Sequence, residues 1–276
     1  MTTTDTRAAA ADLPIVRGRT ETWRLFLPQT VIQTRRLLLR WWRDPLTLVQ
    51  SLVFPALLLI VLNTVLGKQV STFSGASALY GSVPMVALVG VMSGSLASAI
   101  TLGRERDQGL LARLWVLPVH RASGLASRIL AEGARILLCT TVLFAVGVLL
   151  GFRFEQGVLA GIALFGVPLL YGLGFATLVT AVAVFSAKAA LVEAVSLGSS
   201  IMMFFSTGFV PLTAYPRWAQ PIVAHQPMTY AIDAMRGLSL GGPVRTALLA
   251  TVAWSVGAIV VFAVPAAVGY RRASRR

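Results

Sequence analysis

The chain has 276 residues, 56% hydrophobic and only 12% charged, with a mean hydropathy of +0.77 and a formal net charge of +14. A soluble domain carries about 25% charged residues, so the composition excludes a soluble globular class and indicates an integral membrane protein. The positive charge then belongs to loops facing anionic lipid, and no basic segment is paired with a nucleic-acid-binding motif.

Residues 1–20 are rich in Thr, Ala and charge with no apolar run, and they read as a disordered cytoplasmic tail. Residues 21–44 follow as an amphipathic helix. Trp23, Leu27, Val31, Leu38 and Trp42 share one helical face, and Arg36, Arg40 and Arg43 lie on the other. Leu25, Ile32 and Leu39 fall toward the polar side. Trp41 and Trp42 suit the headgroup level. The pattern fits either a plain membrane anchor or a lever that transmits motion from a cytoplasmic partner.

The first long apolar run starts near residue 46, too late for a cleavable signal peptide. Six spans are expected, at about 46–66, 80–102, 130–151, 158–184, 189–210 and 246–269, each near or above the ~20 residues that cross a bilayer core. Nineteen of the 24 Lys and Arg residues fall on the side of the two termini, counting the 104–135 cluster and Lys188; Lys68, Arg153, Arg217, Arg236 and Arg245 fall on the other. The positive-inside bias therefore puts both termini in the cytoplasm, and an even number of spans agrees. The chain ends in a basic tail, 271–276.

The candidate chemistries fail one by one. Cys139 is the only cysteine, which excludes an intramolecular disulfide and a cysteine metal cluster. His120 and His225 stand far apart and outside the spans, so Ser93 and Ser95 in the second span have no histidine for intramembrane proteolysis. The Gly67-Lys68 pair has Leu62 where a P-loop needs Gly, and Gln69 where it needs Ser or Thr. No catalytic, cofactor or metal site is expected, so the chain is read as a non-enzyme that draws any energy from another polypeptide. Glu132, Arg135 and Glu193 are the candidate ionisable groups within spans, each expected a turn or two from a cytoplasmic end. There they can snorkel, or pair, as Glu132 and Arg135 can at i, i+3. An otherwise apolar path suits a lipophilic cargo better than an ion.

Two segments stand out. RERDQGLLARLWVLPVHR (104–121) is an island of charge between spans two and three, followed by a Leu-rich run and a Pro. FFSTGFVPLTAYPRWAQPIVAHQPMTYAIDAMRGL (204–238) closes span five and carries Pro211, Pro216, Pro221 and Pro227 in a segment with helical runs between them. Pro216 and Pro227 sit as first-turn residues, Asp233 and Arg236 can pair at i, i+3, and Tyr215, Trp218 and Tyr230 suit an interface. A helix-turn-helix dipping into the outer leaflet would satisfy its own backbone bonds.

In this order and at these span positions the two segments resemble those of ABC-2 type transporter permeases of the daunorubicin-resistance (Drr) type, especially the DrrC-like permeases of actinobacteria. The resemblance implies an all-α integral membrane fold. It has six transmembrane helices over 45–270, an N-terminal amphipathic connecting helix (Trp23, Arg36, Arg40, Trp41, Trp42, Arg43), a cytoplasmic coupling helix and external re-entrant helices. It makes 104–118 the segment that meets an ATPase subunit: Glu105 the acidic residue, Gly109 the small turn residue, Pro118 the terminator. Arg104, Arg106, Asp107 and Arg113 supply charge-assisted bonds there, and Leu110, Leu111, Leu114 and Trp115 an apolar anchor. Leu110 departs from the Thr or Ser common in the family. Pro211, Pro216, Trp218, Pro227, Tyr230, Asp233 and Arg236 match the external re-entrant helices.

The implied function is the permease half of an ATP-driven exporter in the cytoplasmic membrane. It would work as a homodimer or with a similar permease, beside two copies of a separate ATPase that holds ATP and Mg. The cargo would be a cell-envelope lipid or a drug such as an anthracycline, with Met202, Met203, Phe204 and Phe205 as candidate path residues. The alternative is an ATP-independent membrane scaffold or lipid scramblase.

Overall fold

The computed structural model describes residues 23–65, 67–74, 77–109, 121–185 and 189–273, and every regular element among them is a helix. In chain order these are α1 (Trp23–Trp42), α2 (Pro45–Val65), α3 (Gly67–Ser74), α4 (Leu79–Asp107), α5 (Arg121–Leu149), α6 (Gly157–Phe185), α7 (Ala189–Phe204), α8 (Gln220–Ala224), α9 (Pro227–Leu240) and α10 (Val244–Ala273). Five of them, α2, α4, α5, α6 and α10, are long and apolar enough to cross a membrane. The chain is therefore an all-α integral membrane protein.

The bundle is built around α4. In its most apolar stretch 72% of the residues are buried, against 11% for α10. Helices α2, α5, α6, α7 and α9 all pack on α4, and α10 lies outside, on α6 and α9. In lipid, helices gain from close contact of small residues. Gly174 of α6 shows this: a Cβ there would stand 3.0 Å from the Ser255 carbonyl oxygen of α10. The α2 helix carries a π-helical turn at Val49–Val53, behind an Asp44 cap whose side chain accepts from the Thr47 amide and hydroxyl. The hydroxyl of Ser51 in that turn bonds back to the Thr47 carbonyl at 2.6 Å.

Three expectations change. Span three was expected at 130–151, but α5 begins at Arg121, two turns earlier. Its early residues, Ser123, Ser127 and Arg128, take partners on α1 and α4, which lets a polar stretch continue the helix. Span five was expected over 189–210, but α7 stops at Phe204 after 16 residues, about 24 Å. Side chains take up its last carbonyls: Gln226 donates to Met202, Ser206 to Met203, and the Tyr215 hydroxyl to Phe204. Within the proline-punctuated segment Pro221, not Pro216, sits in the first turn of a helix, α8; Pro216 opens the hydrogen-bonded turn before it. Pro227 does start α9.

The segment after α7 is part of the core. Met228, Ala231, Ile232, Ala234 and Met235 of α9 are fully covered, in one cluster with Tyr80, Val83 and Met85 of α4 and Phe144 and Phe152 at the end of α5. Phe144, Phe152, Phe154 and Phe165 close this end with edge-on and stacked ring contacts.

Candidate functional site

The end of the bundle where α4 finishes and α5 starts carries the charge. Glu105 lies in the last turn of α4, yet its side chain is only 6% exposed. One carboxylate oxygen accepts from Arg40 of α1, and the other from Arg128 of α5 at 2.5 Å. A carboxylate survives such burial only when it is paired, and here each partner comes from a different helix. Glu105 thus joins α1, α4 and α5 at one point.

The next residue performs a second tie. Arg106 Nη1 donates to the carbonyls of Ala183 and Val184, both at 3.2 Å, at the C-terminus of α6. The last carbonyls of a helix are the ones that need partners from outside it, and the helix dipole favours a cation there. Arg106 also grips Asp107 at 2.9 Å, and Asp107 and Arg104 are exposed. Gly109 ends the segment at φ +70°, with its amide on the Arg106 carbonyl, a helix stop that glycine adopts without strain. Of the expected coupling residues, Leu110, Leu111, Arg113, Leu114, Trp115 and Pro118 lie outside the described residues.

The α1 helix docks on α5 by its polar side. Gln33 bonds Ser123 and Ser127, and the Thr34 hydroxyl reaches the Ser127 carbonyl. Leu27, Val31, Ile32, Leu39 and Trp42 are exposed, while Thr30 is buried and Leu37, Leu38 and Trp41 are half-buried. Leu38, expected on the same face as Leu27 and Val31, therefore turns inward, and Ile32 and Leu39 join the outward apolar face. Lipid accepts that face at no cost, so the polar groups are the ones that need protein partners. Arg36 and Arg43 are exposed, and Arg40 is half-exposed on its way to Glu105. The side chain of Trp23 lies outside the described residues.

One step further along α5, Glu132 and Arg135 form a buried ion pair. Arg135 Nε donates to Glu132 at 3.1 Å, its Nη2 reaches Glu132, the Ser95 hydroxyl and the Val91 carbonyl, and Ser95 donates to Glu132 at 2.5 Å. The pair does not snorkel to an end. Gly94 makes room for it, since a Cβ there would stand 1.6 Å from Arg135 Nη1. The i, i+3 spacing pairs Glu132 with Arg135, but it does not mark Ser95 and Gly94 as the surface that receives them. An adjacent Gly-Ser in a span, facing Glu-x-x-Arg in the next, is the signal. Glu193 is exposed on α7.

At the opposite end Asp233 and Arg236 pair at 3.3 Å, and both reach Thr207, which Asp233 accepts from at 2.9 Å and to whose carbonyl Arg236 donates at 2.7 Å. Burial pushes the Asp233 carboxyl above its ordinary 3.8, opposed by the Thr207 bond and the Arg236 charge. Pro211 and Tyr230 are half-buried, and Pro216 and Trp218 exposed. Of the expected path residues, Met202 and Phe204 are exposed, Phe204 stacked on Phe209, whereas Met203 packs against the core and Phe205 is half-buried.

The description "ABC-2 type transporter" matches residues 28–240, which take in α1 from its first turns, the Glu105 junction and helices α8 and α9. The chain belongs to the ABC-2 type transporter family. Two strains of Mycobacterium tuberculosis have a relative named "Probable doxorubicin resistance ABC transporter permease protein DrrC", 52% identical over 251 residues, 91% of each chain. A more distant relative is the "Daunorubicin resistance ABC transporter permease protein DrrB1" of Streptomyces coeruleorubidus, 24% identical over 220 residues, 79% of this chain and 77% of that one. The chain is an ABC-2 permease homologous to these resistance permeases, as the two signature segments implied. In this permease the acidic residue of the charged segment is an internal fastener, and Arg104 and Asp107 are the exposed charges beside it.

Proposed function

We propose that this permease is the membrane half of an ATP-driven exporter, energised by a separate ATPase subunit that presses on 104–118 and on α1. The observation that carries the reading is the Glu105 junction. Because Arg40, Glu105 and Arg128 tie three helices at one buried point, a push on either segment moves α1, α4 and α5 together. Arg106 extends the same linkage to α6. The chain has no P-loop of its own, so ATP and Mg belong to the partner, in two copies beside a permease dimer, either of this chain or with a similar one. Both termini face the cytoplasm in the multi-pass cytoplasmic-membrane orientation that the arginine distribution favours, with α7 and the turn after it as the sixth crossing.

The cargo is an amphipathic compound. The names of the relatives favour a drug of the anthracycline kind, with a cell-envelope lipid as the other candidate, and Met202 and Phe204 offer it an exposed polarizable surface. The test is co-expression with a candidate ATPase in a drug-sensitive host. ATP-dependent efflux of doxorubicin from inverted vesicles, lost on Asp107→Arg with Arg104→Glu while the protein still inserts, is the expected result. Lipid movement that proceeds without any ATPase subunit would overturn it in favour of a scramblase.

A further inference from the structure

Helix α2 is not one regular helix. Its residues Val49–Val53 form a π turn, closed by the Phe54 amide on the Val49 carbonyl five residues back. Pro55 stands just beyond. In a regular α-helix its ring would meet the carbonyl of Ser51, four residues earlier, and proline has no N–H to offer that carbonyl. A proline alone does not open a helix here, since Pro84, Pro168 and Pro265 lie inside α4, α6 and α10 with no such turn. At Pro55 a second feature adds to the first. The Ser51 hydroxyl donates to the Thr47 carbonyl at 2.6 Å, a back-bond that bends helices.

Irregular backbone at membrane depth must be taken up by its neighbours. A Cβ on Gly90 of α4 would stand 3.3 Å from the Ser51 carbonyl oxygen, 3.3 Å from Pro55 Cγ and 3.2 Å from Leu143 Cδ1 of α5. Glycine at 90 lets α4 come that close, and Ser51 is fully buried at the meeting point of the three helices. The two sides of the turn are held by different means. Before it, Pro45–Leu48 bury no side chain. Polar bonds brace them instead, from Asp44 to Thr47 and from Ser51 to Thr47, and they pack on α1, which the Glu105 junction fastens to α4 and α5. Beyond the turn, Phe54–Val65 buries only Pro55, Leu59 and Leu62. Leu59 and Leu62 belong to the apolar cluster of Val86 and Leu143, and packing of that kind is non-directional.

We propose that the π turn is a joint built into α2, about which Phe54–Val65 tilts against the block of α1, α4 and α5, with Ser51 and Gly90 as the pivot. A π turn within an α-helix is a recurrent functional irregularity, and hinge motions place their bending at a few element-terminal residues. The joint sets a moving part of the first span beside a block held by buried charge. It needs neither cargo nor ATPase in order to move.

The test uses the full-length permease in lipid nanodiscs, with nitroxides at Val65→Cys and Leu159→Cys, two exposed positions on α2 and α6, read by double electron–electron resonance. The native Cys139 is buried and takes no label, and dilution with unlabelled chain keeps the distances within one molecule. A sharp kink exceeds about 20°, and on a 12-residue arm of about 18 Å such a tilt moves the tip by about 6 Å. The wild type is expected to show distances spread over about that range. Pro55→Ala supplies the missing N–H, and deletion of Gln50 together with Pro55→Ala also removes the extra residue of the turn. Each is expected to narrow the distribution about twofold, the second more than the first. A single narrow distance in the wild type overturns the joint, whether or not any variant folds. Undiminished breadth in variants that elute as the wild type does overturns it as well. No ATPase or cargo is present, so the outcome is separate from that of the exporter reading.

Discussion

The two ends of the bundle solve the same problem with opposite materials. At the arginine-rich end, α1, α4 and α5 are joined by buried charge: Glu105 between Arg40 and Arg128, then Glu132 with Arg135 and Ser95. At the other end α4, α5, α6 and α9 are joined by rings and methionines, from Phe144 and Phe152 to Met228 and Met235. Apolar packing is non-directional and tolerates small shifts, whereas a buried carboxylate held by guanidiniums from two other helices allows few arrangements. In the exporter we propose, the end that passes on a displacement is better made of the second. The only ion pair described at the ring-lined end, Asp233 with Arg236, is about a third exposed and holds α9 to the turn after α7 rather than joining long helices.

The sharpest way to break this contrast is to orphan a buried charge. Glu132→Ala leaves the Arg135 guanidinium unpaired and is expected to destabilise by about 3–5 kcal/mol, read as loss of folded, monodisperse protein on heating in detergent. The double replacement Glu132→Leu with Arg135→Leu should recover most of that. Full destabilisation in the double variant would show that packing, and not charge pairing, holds this place. Glu105→Gln keeps the shape and one acceptor, so a smaller loss of about 1–3 kcal/mol is expected. Its signature is local: a Gln33→Cys/Ser127→Cys cross-link between α1 and α5 should form less completely. Unchanged cross-linking would remove Glu105 as the fastener.

The ring-lined end responds to volume. A Cβ on Gly208 would stand 2.5 Å from Met85, so Gly208→Ala is expected to cost about 1–3 kcal/mol by overpacking, while Gly103→Ala, with nothing near its Cβ position, should be neutral or slightly stabilising in the same thermal assay. The smallest effect is a pH dependence. Asp233 has a carboxyl raised by burial, so the folded protein holds its proton more firmly than the unfolded chain does. Stability from this group is present below 3.8 and is lost as pH rises through the raised value. Asp233→Asn should flatten the midpoint across that window, and an equally steep profile in the variant would assign the dependence elsewhere.

Much of this was legible in the residues. The apolar runs located four spanning helices to within a few residues, because a 20-residue hydrophobic stretch has few alternatives in lipid. The helix-breaking Gly109 and the helix-starting Pro227 acted where they stand. The charged island and the proline-punctuated segment, in their order, were enough to place the chain in its family. Where reading failed, it failed on polar residues that continue a helix or end one. Ser123, Ser127 and Arg128 look like loop, yet α5 passes through them because α1 and Glu105 answer their side chains. Residues 205–210 look like span, yet α7 ends before them because Gln226, Ser206 and Tyr215 claim its last carbonyls.

By itself, then, the sequence determined that the chain lives in a membrane, which stretches cross it, where the charge gathers and which family it joins. Those properties follow from hydropathy and local order, summed residue by residue. Only the tertiary structure decided which way Glu105 and the apolar face of α1 turn, and that Glu132 and Arg135 settle on Gly94 and Ser95. Each of these depends on groups far apart in the chain arriving within 3 Å or so of one another, and no local pattern records who the neighbour is.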